Sequence, residues 1–258
     1  MSDRVESGSS PVTSRRAFVK TSSIAAAVGL VGGAWTRAAD ASPTQTAATS
    51  QPYTPLTQQA RDALTPDQVL GKLKAGNVRF LEGRRRQRDF LAEQRATAAG
   101  QYPSAVILGC IDSRGPAELV FDLGIGDVFN CRVAGNIQNP DILGSMEFAT
   151  KVSGAKLVLV LGHSACGAVK GAISDAQLGN LTQLLAKIRP VVEATAYTGD
   201  RTAANAQFVD AVARRNVELT IAGVRKESPT LADLEKQGAV KIAGAFHDLS
   251  TGKVEFMA

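Results

Sequence analysis

Residues 157–161 read Leu-Val-Leu-Val-Leu, five apolar side chains in a row without a polar interruption. A strand with one wet face alternates apolar and polar residues, so a run that is apolar at every position belongs to a strand covered on both faces. Two more short apolar runs, 105–108 and 128–131, have strand length, and helical spacing lies between the three near 117–121 and 143–152. Strands alternating with helices require crossover connections and therefore a mainly parallel α/β sheet flanked by helices. Further helices are expected over 165–176, 181–194 and 203–224, and a closing hairpin over 239–247 and 253–257 that turns at Ser250-Thr251-Gly252.

Ahead of the sheet, Thr65 suits a helix N-cap and Pro66 the first helical position. Val69, Leu70, Leu73, Val78, Phe80 and Leu81 continue a broadly helical apolar pattern. An N-terminal helical arm is therefore expected. The run Arg84-Arg85-Arg86-Gln87-Arg88 after it reads as a solvated helix face or a subunit contact. Residues 42–65 are rich in Ser, Thr, Gln, Pro and Ala with no apolar period, which predicts a linker or extended arm.

Residues 1–41 have the layout of an export signal. Ser14-Arg15-Arg16-Ala17-Phe18-Val19-Lys20 precedes an uncharged stretch rich in Ala, Gly and Val, and Ala39-Asp40-Ala41 offers a small-x-small cleavage pattern. The apolar part falls short of the roughly 20 strongly apolar residues of a membrane span, so no stable span is expected after cleavage. Arg15-Arg16 with Phe18 and Lys20 resembles the twin-arginine signal, which exports proteins already folded to the periplasm or cell envelope. A general secretory signal and a retained membrane anchor are the alternatives. The domain division is thus 1–41 signal, 42–65 linker and 66–258 folded domain.

The 258 residues are 44% hydrophobic, enough for a sizeable core, which excludes a disordered tail or a small disulfide scaffold. Net charge is +5, and about +3 remains when residues 1–41 are removed. With aromatics at only 5%, no groove for nucleic acid is expected.

Cys110, Cys131 and Cys166 are an odd number of thiols, so at most one pair could bridge. In parallel sheets ligands gather at the carboxyl ends of strands. Two predicted strands end in reactive residues: one in Cys110-Ile111-Asp112-Ser113-Arg114, the other in Gly162-His163-Ser164-Ala165-Cys166. Two thiolates and one imidazole suit zinc and fill three of four tetrahedral positions, leaving one for water or for Asp112. The competing readings are packed thiols and a Cys110–Cys166 redox pair. Cys131 lies within a predicted strand and is assigned to packing.

Together, Cys110-x-Asp112-Ser113-Arg114, Gly126-Asp127-Val128-Phe129 through Arg132 to Ala134-Gly135-Asn136, Gly144-Ser145-x-Glu147-Phe148 and Gly162-His163-Ser164-Ala165-Cys166-Gly167 resemble the β-class carbonic anhydrases. The resemblance covers roughly residues 66–258. It implies a parallel sheet with a last antiparallel strand, a homodimer or higher homo-oligomer, and zinc held by Cys110, His163 and Cys166. Asp112 and Arg114 are the implied catalytic pair: Asp112 accepts from the zinc-bound water while Arg114 clamps it, and in a closed form Asp112 becomes the fourth zinc ligand. Gln101, Phe129 and Phe148 are the implied substrate-facing positions, with Phe148 standing where many plant-type members have Tyr.

The implied activity is reversible hydration of carbon dioxide to bicarbonate and a proton by attack of zinc-bound hydroxide, rising toward alkaline pH. His247 is either a proton shuttle or a surface or core residue. The alternatives are hydrolysis of carbonyl sulfide or carbon disulfide on the same scaffold, and a non-catalytic zinc- or bicarbonate-binding protein.

Overall fold

A computed structural model describes residues 54–257; the expected export signal, its cleavage point and the first part of the expected linker lie outside these residues. Five strands form one sheet: β1 (Ala105–Gly109), β2 (Val128–Arg132), β3 (Leu157–His163), β4 (Lys241–His247) and β5 (Val254–Met257). Their order is β2-β1-β3-β4-β5, with every pair parallel except the antiparallel β4–β5 edge. The α/β fold expected from the sequence is the fold observed.

The helices in chain order begin with α1 (Gln58–Asp62), α2 (Pro66–Leu81), α3 (Phe90–Thr97), α4 (Ala117–Val120) and α5 (Pro140–Glu147). They continue with α6 (Gly167–Ile173), α7 (Gly179–Ala186), α8 (Arg189–Ala194), α9 (Ala206–Glu227) and α10 (Pro229–Lys236). The run 157–161 explains how they layer. Leu157, Leu159 and Leu161 face Val69 and Leu73 of α2 and Phe121, while Val158 and Val160 face Met146 of α5 and Val217 and Val224 of α9. Both faces are dry, and each fully buried Leu or Val contributes about 1.5–3 kcal/mol. A third cluster joins Cys110 and Cys166 to α6, α8 and the start of α9 through Val169, Ile188, Phe208 and Val212. The carboxyl end of β1 and β3 is therefore enclosed.

Several boundaries differ from expectation for identifiable reasons. The α2 start is as expected: Thr65 accepts from Gln68 N at 3.2 Å and Gln68 Oε1 accepts from Thr65 N at 2.8 Å, a reciprocal cap. The segment expected as linker already contains α1, capped by Thr57, with Arg61 buried and donating to the Ser153 carbonyl. The single helix expected over 181–194 is two, because Pro190 cannot donate within a helix interior and sits in the first turn of α8 instead. The helix expected over 143–152 starts at Pro140, capped by Asn139, and ends in a π turn over Phe148–Val152. Helices α3 and α10 add to the elements expected from the apolar spacing. The Ser228–Pro229 step that opens α10 is a cap followed by proline, a signal present in the sequence.

The arginine run is not on a helix. It forms the loop between α2 and α3, with Arg84, Arg85 and Arg86 exposed. Arg88 corrects the expectation of a solvated face: its buried guanidinium pairs with Glu93 at 3.0 Å and lies 3.8 Å from Asp127.

Candidate metal centre

β1 and β3 are parallel neighbours with Gly109 in register with Leu161. The next residue of each strand end thus enters the same space, which places Cys110 beside Gly162 and His163. Cys166 returns to that space at the N-cap of α6, after the chain reverses through Ala165 at φ +54°. A non-glycine residue in the left-handed region costs about 1–2 kcal/mol, so the turn is held by its surroundings. This backbone also explains why α6 starts at Gly167 and not at 165 as expected.

The three donor atoms, Cys110 Sγ, a ring nitrogen of His163 and Cys166 Sγ, lie within 4.8 Å of one another and all three residues are buried. His163 Nδ1 is 2.9 Å from the Ser164 carbonyl, so Nδ1 carries the proton and donates. Nε2 is left with its lone pair, buried and without a hydrogen-bond partner among the described residues. A buried lone pair beside two thiols is poorly placed unless it binds a cation. Two soft sulfurs and one imidazole nitrogen fit zinc.

The surroundings favour charge on Cys110. A hydrogen bond from the Cys166 thiol, with help from His163 and from the Gly135 N–H at 3.3 Å, outweighs burial and lowers its pKa to about 4. Cys166, donor of that bond and buried, is pushed up. Burial alone would lower His163, but the Cys110 thiolate and the Ser164 carbonyl outweigh it and its pKa rises. All three cysteines are free thiols. Cys131 packs with Leu108, Val158 and Val160 away from this group, as expected, and burial raises its pKa.

Asp112 lies outside the three-residue group and is bound to Arg114. Arg114 Nε donates to Oδ1 at 2.9 Å and Nη2 to Oδ2 at 2.7 Å, and the Arg114 backbone N–H adds a third bond to Oδ1 at 3.0 Å. These bonds hold the carboxyl well below the usual carboxylate range. Of the two arrangements implied by the resemblance, this is the one with Asp112 clamped. The sequence reading left Arg132 without a role. It donates from Nε to the Cys110 carbonyl at 2.9 Å and from Nη2 to the Asp112 carbonyl at 2.6 Å, tying the loop to β2.

His247 is buried at the end of β4, directly opposite His163 in register. Burial and the neighbouring His163 lower its pKa. Of the roles considered for it, the core role is the one this position fits.

The expected substrate-facing residues are elsewhere in this chain. Gln101 is exposed and precedes β1, whereas Cys110 follows it, and the strand between spans about 16 Å. Phe129 pairs with Val106 near the amino end of β2 and meets Phe148 edge-to-face, ring centroids 6.3 Å apart. The structure joins the two Phe residues to each other, and neither is in the cluster that holds Cys110 and Cys166.

Fold and site together define a class: an α/β protein with two thiols and one imidazole, a group suited to hold a metal ion, at the carboxyl end of a parallel sheet. Comparison with known proteins narrows it. Residues 105–254 match the family model described as carbonic anhydrase. Carbonic anhydrase 2 of Mycobacterium tuberculosis is 38% identical over 185 residues, 70% of this chain and 87% of that protein. The carbonic anhydrase of Mycolicibacterium smegmatis is 36% identical over 187 residues, 71% of this chain and 89% of that protein. Among solved structures, a tetrameric β-carbonic anhydrase from Sordaria macrospora aligns with a TM-score of 0.57 at 28% identity, covering 66% of this chain and 86% of that one. The chain belongs to the carbonic anhydrase family, in its β class, and its reaction is the reversible hydration of carbon dioxide to bicarbonate and a proton.

Proposed function

We propose that hydration takes place beside Cys110, His163 and Cys166, which hold one zinc ion per chain, and that the enzyme works as a homo-oligomer outside the cytoplasm. The observation that carries the zinc assignment is His163 Nε2, a buried lone pair without a hydrogen-bond partner among the described residues, on a ring that offers one nitrogen within 4.8 Å of both thiols. When bound, zinc supplies the Lewis acidity that makes water a strong nucleophile near neutral pH. Cys110, His163 and Cys166 would hold the zinc and would leave room beside it for the reactants.

Asp112 acts on the proton side. Its Oδ1 takes two hydrogen bonds from Arg114 and its Oδ2 takes one, so Oδ2 keeps a lone pair to accept from the reacting water and orient it. Arg114 keeps that carboxylate ionised and away from the ligand sphere. Carbon dioxide has no net charge and needs an apolar wall with a donor for the oxygen that gains charge. Phe129 and Phe148 supply the wall and the Gln101 amide the donor. Gln101 and the Phe pair lie toward the amino ends of β1 and β2, so a second copy delivers them to the ligands of the first. Half of Phe148's surface, 53%, is open to receive such a neighbour. The described residues contain no helix long and apolar enough to cross a membrane. Export rests on the Arg15-Arg16-x-Phe18 pattern. Its check is secretion after Arg15→Lys and Arg16→Lys together, which is expected to stop; unaltered export overturns it.

The central experiment is stopped-flow carbon dioxide hydration with zinc quantified, for the wild-type chain and Asp112→Ala at pH 7 and pH 8.5. Two thiolate ligands weaken the Lewis acid, so turnover is expected to rise between the two pH values, and Asp112→Ala to lose rate while keeping zinc. Zinc-loaded wild-type protein inactive at both pH values contradicts the proposal.

A further inference from the structure

Helix α9 reaches the turn that carries His163 and Cys166 and the Gly135 loop whose N–H bonds to Cys110. Ala165, the residue before Cys166, is held at φ +54° while its N–H donates to Asp210 Oδ1 at 3.0 Å. Six residues along the helix, Asn216, only 2% exposed, donates from Nδ2 to the Gly135 carbonyl at 2.7 Å. The Gly135 N–H is the group that donates to Cys110 Sγ. One rigid element thus grips the His163–Cys166 turn from one point and the loop behind Cys110 from another.

Packing makes this grip stiff. A Cβ on Gly162, the residue before His163, would come within 2.5 Å of Val217 Cγ2, so α9 rests directly against the strand end. Gly135 is at φ +74°, and a Cβ there would come within 2.5 Å of Ile188 Cδ1. Both loops are therefore closed on one side and tied on the other. A buried Asn costs free energy unless it is hydrogen-bonded; an apolar residue would serve if Asn216 had only to fill space.

We infer that α9 sets the geometry of the metal site, with Asp210 positioning the His163–Cys166 turn and Asn216 positioning the Gly135 N–H on Cys110. Neither touches a ligand atom; both are positioning residues that act through backbone groups. The inference rests on the reading of Cys110, His163 and Cys166 as the zinc site. It goes beyond that reading by assigning the control of ligand geometry to a helix that contributes no ligand.

The test uses the full chain loaded with zinc, or with cobalt(II) as a spectroscopic probe. Zinc affinity is measured by chelator competition and the ligand field by the cobalt absorption bands. Asp210→Ala is expected to lower zinc affinity about 10- to 100-fold and to shift the cobalt bands. Asp210→Asn keeps an acceptor oxygen and is expected to stay close to wild type, which separates hydrogen bonding from the charge of a carboxylate near a helix start. Ala165→Gly removes the left-handed penalty, so adding it to Asp210→Ala is expected to recover most of the loss. Asn216→Ala is expected to shift the thiolate-to-cobalt charge-transfer band. Wild-type affinity and bands in Asp210→Ala, or equal losses in Asp210→Asn and Asp210→Ala, overturn the inference. If the wild-type chain itself holds no zinc, the site reading fails instead.

Discussion

At the carboxyl ends of β1 and β3, Cys110, His163 and Cys166 are buried, and Gly135, Ser164 and Arg132 hydrogen-bond to them or to their loops. Toward the amino ends, Gln101 is exposed and Phe148 presents more than half its surface to solvent. The same sheet thus carries one region enclosed within a single chain and another left open to solvent. Burial is what separates them. Ligands for a cation must be desolvated and fixed before the cation arrives, and a chain can do that alone by ending two parallel strands side by side. An apolar wall for a small uncharged substrate gains its dryness only when a second surface covers it.

The largest effect should come from breaking the enclosed region. Cys166→Ser is expected to remove zinc and bring hydration down to the uncatalysed background, read by metal analysis and stopped-flow; retained zinc with retained turnover contradicts the ligand assignment. Arg114→Ala spares the ligands but releases Asp112. Turnover near pH 7 is expected to fall about 10- to 100-fold with zinc content unchanged, and a change within twofold would deny Arg114 its clamping role.

Smaller effects belong to the other end. Gln101→Ala removes one donor to a developing charge and should cost about tenfold in kcat/KM, a difference of about 1.4 kcal/mol, with zinc and the far-ultraviolet spectrum unchanged. Asp127, just ahead of β2, is pushed up to about 6 by burial, opposed by the Gly124 N–H. An acid raised on folding adds stability that is complete below its ordinary pKa near 4 and is lost as pH rises through about 6. Asp127→Asn removes this pH-dependent loss together with the charge 3.8 Å from Arg88, so its Tm relative to wild type is expected to be higher at pH 7.5 than at pH 4. The same Tm difference at both pH values would show that Asp127 does not titrate between them.

The sequence was informative where chemistry is local. The unbroken apolar run 157–161, the two strand ends and the short His163–Cys166 spacing could all be read directly, because each is a property of a few adjacent residues. What escaped was set by distance along the chain or by competing local signals. Asp210 meets Ala165 across 45 residues and Asn216 meets Gly135 across 81, and nothing in either neighbourhood announces the partner. Arg88 looked like one of a solvated run, yet Glu93 and Asp127 draw it inside. At residues 181–194 the apolar spacing suggests one helix, whereas the missing N–H of Pro190 divides it in two. The placement of Gln101, Phe129 and Phe148 followed from family resemblance, and a single chain leaves them apart from the ligands.

The division of labour between the two ends is tested most directly by complementation. Chains carrying Cys166→Ser and chains carrying Gln101→Ala are co-expressed, the mixed oligomers are purified, and carbon dioxide hydration is compared with that of each parent at equal protein concentration. In a mixed pair, the zinc of the Gln101→Ala chain would face the intact Gln101 of its neighbour. The expected result is hydration above that of either parent. If Gln101 serves the ligands of its own chain, no mixed pair contains a complete site, and activity at or below that of the Gln101→Ala parent would contradict the account.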